Sequence, residues 1–72
     1  MKNQVAAAVV RRILRIRTVR ERTGLSRSTI HTMEAAGEFP RRIELGARSV
    51  GWYEDEVAAW IESRQRKGDA HG

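Results

Sequence analysis

Residues 20–36 read RERTGLSRSTIHTMEAA. Gly24 interrupts one helical stretch, and Ser26 opens another. Glycine fits a residue that must turn left-handed between two crossing helices, and serine is a favoured helix N-cap. The stretch therefore predicts a helix–turn–helix. The first helix is expected from about Ile16 to Thr23, with Thr18 and Glu21 at capping-box spacing and Ile16 and Val19 on one face. The second is expected from Ser26 to Ala36, with Gly37 ending it. Leu25, Ile30 and Met33 face inward, leaving Arg27, Ser28, His31 and Thr32 outward.

Beyond it lies the single proline, in Phe39-Pro40. Ile43 and Leu45 then alternate with Arg42 and Glu44, and Val50 and Trp52 with Ser49 and Gly51. Gly46-Ala47-Arg48 separates the two runs, so a short β-hairpin is predicted with Arg48 at its tip. A third helix is predicted over about Glu54 to Arg66. Acidic residues 54–56 fill its first turn, and Arg64 and Arg66 its last, which suits the helix dipole. Val57, Trp60 and Ile61 give it an apolar stripe. Trp52 and Trp60 fall on inward faces, which assigns them to the core rather than to base stacking.

The chain has 72 residues, enough for one domain and too few to enclose a deep substrate cavity as well. It has no cysteine, which excludes disulfides, thiolate metal sites and thiol nucleophiles. The two histidines, His31 and His71, are far apart, and no metal-ligand spacing, phosphate-loop pattern or nucleophile elbow occurs. An enzyme is not expected, nor a metal or cofactor. Residues 5–10, VAAAVV, are too few for a signal-peptide core or a membrane span. The reading is a cytoplasmic protein with a loose N-terminal arm (1–11), a folded unit (12–66) and a tail (67–72).

The net charge is +5, with twelve arginines against two lysines. It is unevenly placed. Residues 1–33 carry eight basic side chains and the single acidic Glu21, a net of +7, whereas residues 34–72 carry six basic and eight acidic ones, a net of −2. Arginine's planar donor fork suits phosphates and guanine edges, so the expected ligand is a nucleic acid rather than a membrane surface. In a helix–turn–helix, the start of the second helix enters the major groove. Ser26, Arg27 and Ser28 sit at that positive end, where hydroxyls and free N–H groups can hold a phosphate. Arg27 can reach a guanine edge, its alternative being a surface ion pair with Glu34 or Glu38. His31 has two readings, a DNA contact or a polar surface slot. Arg48 at the tip, with Arg41 and Arg42 at the base, makes the hairpin a wing; Arg15, Arg17 and Arg20 on helix one are candidates for phosphate.

Residues 12–64 resemble the AlpA family of phage and prophage transcriptional regulators. The matching pieces are Arg12-Ile13-Leu14-Arg15, then Glu21 through Ile30 (ERTGLSRSTI), Gly37-Glu38-Phe39-Pro40, Leu45-Gly46 with Arg48, Gly51-Trp52, and Glu56-Val57 with Trp60-Ile61. The resemblance implies a mainly α fold with a small β-hairpin wing, a MerR- or excisionase-like winged helix–turn–helix. It implies binding of double-stranded DNA to control mobile-element genes, such as those for integrase or excision. The sequence departs from the family at His31, where an aromatic residue is common, and at Thr32, where a basic one is. An excisionase-type factor that bends DNA and recruits integrase is the alternative function, and a DNA-packaging adaptor a third. One recognition helix covers few base pairs, so a homodimer or cooperative tandem binding is expected, with VAAAVV one candidate pairing surface.

Overall fold

The computed structural model describes residues 11–67. Most of the expected arm and nearly all of the expected tail lie outside this range. Strand β1 (Ile13–Leu14) leads directly into helix α1 (Ile16–Thr23). Helix α2 (Arg27–Ala35) follows a three-residue turn. Strands β2 (Ile43–Gly46) and β3 (Ser49–Tyr53) then form a hairpin, and helix α3 (Glu54–Glu62) completes the order. The chain folds as a winged helix–turn–helix.

The sheet has three strands in the order β1-β3-β2, with β3 antiparallel to both neighbours. Ile13 pairs with Tyr53 and Leu14 with Trp52; Ile43 pairs with Gly51 and Glu44 with Val50. A register shift at Leu45 brings Gly46 opposite Ser49. Ala47 and Arg48 form the turn, so Arg48 stands at the tip as expected. Strand β1 was not anticipated. It changes the wing from an isolated hairpin, marginal by itself, into the far side of a sheet joined to the core.

The core takes one side chain from every element except β2, and one from the linker: Leu14 from β1, Val19 from α1, Ile30 from α2, Phe39 from the linker, Trp52 from β3 and Val57 from α3. Ile16, Leu25, Met33, Val50 and Trp60 pack around them. Burying each such residue stabilises the fold by about 1.5–3 kcal/mol. With so few, polar links between elements matter. The Trp52 Nε1–H donates to the Pro40 carbonyl at 3.1 Å, and the Trp60 Nε1–H to the Glu38 carbonyl at 2.8 Å. Phe39 meets the Trp60 ring edge-on, 4.8 Å between centroids.

Three expectations require correction. Thr18 and Glu21 make no capping box: Arg15 is the N-cap of α1, with no side-chain cap bond. Residues 13 and 14 are committed to the sheet, so the helix begins directly behind them and Thr18 lies within its first turn. Helix α3 stops at Glu62, not Arg66. The Ser63 hydroxyl donates to the Trp60 carbonyl at 2.6 Å, and residues 63–67 bring no apolar side chain to pack. Arg64 consequently lies beyond the helix, its guanidinium 4.3 Å from the Trp60 ring centroid. Ile61 is exposed rather than inward; Val57 and Trp60 alone turn that helix to the core. Among the described residues, no helix is long and apolar enough to cross a membrane.

Candidate nucleic-acid interface

Helices α1 and α2 are joined by a turn in which each residue has a defined role. The Thr23 hydroxyl donates to the Val19 carbonyl at 2.8 Å and accepts the Leu25 N–H at 3.2 Å. Gly24 adopts the left-handed conformation expected of it, φ 77°, and its N–H bonds the Arg20 carbonyl at 2.8 Å. Ser26 caps α2, its Oγ accepting the Thr29 N–H at 3.2 Å and donating to the Thr29 hydroxyl at 2.9 Å. Its hydroxyl is therefore engaged within the helix start.

At the other end of α2, Gly37 is left-handed, again at φ 77°. Its N–H bonds the Glu34 carbonyl at 3.0 Å, and the Glu38 N–H bonds the Met33 carbonyl at 2.7 Å. This pair of bonds is a Schellman motif, and it turns the chain sharply toward the wing.

The exposed side of α2 carries Arg27, Ser28, His31 and Thr32, as expected. Arg27 makes no ion pair among the described residues; neither Glu34 nor Glu38 holds it. Two shallow depressions flank the helix. Arg17, Arg20 and Ser26 line the first, together with Glu21, Gly24 and Leu25, at the helix–turn–helix corner. His31, Arg41 and Arg42 line the second, with Glu34, Ala35 and Glu44, between α2 and the base of the wing. Arg15 lies at the α1 N-cap and Arg48 at the wing tip, both exposed and in neither depression.

Several of the other arginines are held by carboxylates. Arg22 from α1 meets Glu54 at 2.8 Å, and Arg12 approaches the same carboxylate at 3.9 Å. Arg11 holds Asp55 with two hydrogen bonds, 3.0 and 3.1 Å, and lies 3.5 Å over the Tyr53 ring. Arg11 lowers the Asp55 carboxyl below its ordinary pKa, chiefly through that hydrogen bonding. The acidic first turn of α3 thus complements its dipole and also absorbs three arginines of the basic half. Arg17 forms an exposed i,i+4 pair with Glu21 at 3.7 Å. Among the described residues, Arg15, Arg20, Arg27, Arg41 and Arg48 on the helix–turn–helix and wing make no ion pair, nor do Arg64 and Arg66 beyond α3.

Two contributors were missed from the sequence. Thr23 precedes a glycine and gave no signal beyond its hydroxyl. Glu34 looked like a surface acid, yet it is buried and its Oε2 accepts the Arg42 N–H at 2.7 Å. The signal was available: it lies one turn beyond Ile30, on the edge of the apolar stripe. No group of three or more acidic or histidine side chains that could hold a metal occurs among the described residues.

Residues 12–65 match the family described as Prophage CP4-57 regulatory protein (AlpA). Over 53 residues the chain is 45% identical to the uncharacterized protein ORF88 of Enterobacteria phage P4, covering 74% of this chain and 60% of that one. It is 37% identical over 59 residues to the DNA-binding transcriptional activator AlpA of Escherichia coli (strain K12), covering 74% of this chain and 84% of the other.

Proposed function

The chain belongs to the AlpA family of prophage regulatory proteins, and from that premise we propose that it is a sequence-specific regulator of transcription that binds double-stranded DNA. Its genes are those of a phage or mobile element, integrase or excision genes among them. It works in the cytoplasm by binding alone, with no catalytic step and no cofactor. The observation that carries this reading is Arg27, exposed and, among the described residues, unpaired at the first position of a serine-capped helix. An arginine there is placed to reach a guanine edge in the major groove.

Around it, Ser26, Ser28, His31 and Thr32 form the rest of the groove-facing surface. Arg15, Arg17 and Arg20 hold phosphates beside α1, while Arg48, Arg41 and Arg42 reach the backbone or adjacent minor groove from the wing. The similarity to a DNA-binding transcriptional activator supports the same assignment. Two copies, paired or in tandem, bind repeated half-sites, since one recognition helix covers few base pairs.

The hairpin wing with Arg48 at its tip favours a second reading: an excisionase-type factor that bends an attachment site and recruits integrase. Selecting bound sequences from a random duplex pool tests the first reading. It should enrich one motif, repeated at about one helical turn or a multiple of it. Failure to enrich any motif contradicts sequence-specific binding. An excision reaction with purified integrase separates the alternatives, because a regulator alone leaves the recombination rate unchanged.

A further inference from the structure

Glu34 is an unusual residue to bury on this helix. It is only 8% exposed, one turn beyond the fully buried Ile30, in a chain whose surface is rich in arginine. A carboxylate at such a position gives up hydration, and an apolar residue of similar size is often as stabilising or more so. Its partner explains what it gains. Glu34 Oε2 accepts the Arg42 backbone N–H at 2.7 Å, with the Arg42 Nε at 3.9 Å. Arg42 is the residue directly before β2. Among the described residues this is the single side-chain hydrogen bond that joins α2 to the wing.

The rest of the linker is held from elsewhere. The Glu38 carbonyl is held by Trp60, Phe39 by the core, and the Pro40 carbonyl by Trp52. Those contacts fix the linker to the sheet and to α3. Beyond the backbone turn at Gly37 and Glu38, Glu34 is the one side chain among the described residues that hydrogen-bonds the linker to the DNA-facing helix. We propose that Glu34 is a positioning residue that sets the wing at a fixed distance from the recognition helix, so that Arg48 and Arg27 meet one DNA duplex in register. It touches no DNA and acts through the Arg42 amide. This rests on the reading above that both the wing and α2 meet DNA.

The test uses the full chain and a duplex selected from a random pool. Glu34→Leu fills the same space with a good helix former but offers no acceptor, so it should fold with a thermal midpoint equal to or above that of the wild type. The Arg42 amide should then exchange with solvent more than about tenfold faster, while the Ile30 amide, bonded to the Ser26 carbonyl at 3.0 Å, is unchanged. In the wild-type background Arg48→Ala should weaken binding about tenfold. In the Glu34→Leu background it should weaken binding less than about twofold, with the effect of Arg27→Ala retained. Glu34→Gln, which keeps an acceptor oxygen, should restore both readouts.

An unchanged Arg42 amide overturns the proposal. So does an equal penalty for Arg48→Ala in both backgrounds. Failure of Glu34→Leu to fold assigns Glu34 to stability and likewise overturns it. If Arg48→Ala is silent in the wild type while Arg27→Ala is not, the positioning role falls and the DNA-binding reading stands. If neither substitution matters, both fall.

Discussion

Arg22 Nη1 lies 2.8 Å from Glu54 Oε2, tying the last turn of α1 to the first turn of α3. That pair, with those of Arg11 and Arg12, directs three basic side chains of the N-terminal half away from the proposed DNA surface. The charge that steers DNA is correspondingly smaller than the +7 of residues 1–33 and more localised.

Salt dependence should reflect this. With about five arginines neutralising phosphates, log K is expected to fall against log salt with a slope of roughly −4 to −5. Arg20→Ala should make the slope shallower by about one, whereas Arg22→Ala should leave it nearly unchanged. Fluorescence anisotropy titrations on a fixed duplex at several salt concentrations measure both. A slope near zero would assign the basic excess to solubility.

Gly51 sits at the centre of the sheet beneath Ile13. A Cβ at this position would lie 2.5 Å from Ile13 Cγ2, 3.0 Å from the Leu14 carbonyl oxygen and 3.2 Å from Leu45 Cδ1. The side-chain atoms can yield, but the carbonyl belongs to the paired backbone of β1. Gly51→Ala should therefore destabilise the fold by about 1–3 kcal/mol in urea denaturation. Adding Ile13→Ala should recover part of that loss. An alanine tolerated without cost would contradict the observed β1–β3 approach.

Much of this architecture was readable as local chemistry. Ser26, Gly24 and Gly37 mark helix ends through caps and left-handed turns, which involve only neighbouring residues. The hairpin followed from alternation around Gly46-Ala47-Arg48. Strand β1 was not readable, because two residues carry no period and their partner lies forty residues away at Trp52 and Tyr53. The end of α3 was not readable, because Arg64 and Arg66 suit the dipole of a longer helix while the Ser63 hydroxyl takes the Trp60 carbonyl and ends it. At the site, the outward positions of Arg27, Ser28, His31 and Thr32 followed from helical spacing. The roles of Glu34 and of the acidic first turn of α3 did not, since both depend on contacts between distant segments.

The hydroxyl of Ser26 caps α2 and also lies at the positive helix end proposed to meet phosphate. Two substitutions separate those tasks. Ser26→Ala should lose about 0.5–2 kcal/mol of stability. Ser26→Asp should retain the cap and most of the stability, yet weaken DNA binding strongly by placing a carboxylate against phosphate. Thermal unfolding and duplex titration of the two variants check this. If Ser26→Asp binds DNA as well as the wild type, phosphate does not approach this helix end.

Acid should weaken the Arg11–Asp55 link. The Asp55 carboxyl is lowered in the folded chain by the hydrogen bonds from Arg11. A depressed carboxylate stabilises the fold above its unfolded-state pKa, and that contribution disappears as pH falls through the lower folded value. The stability gap between the wild type and Asp55→Asn should thus be present at neutral pH and close below the ordinary aspartate range. NMR titration should show Asp55 returning toward its ordinary value in Arg11→Ala.

Arg27→Ala measured on two duplexes tests the central claim most directly, namely that the start of α2 reads DNA sequence. On the duplex selected by the wild-type chain, the substitution should cost about 1–3 kcal/mol of binding free energy. On a random duplex of equal length and at the same salt it should cost far less. Equal losses on the two duplexes would show that Arg27 meets only phosphate, and would contradict base reading by this helix.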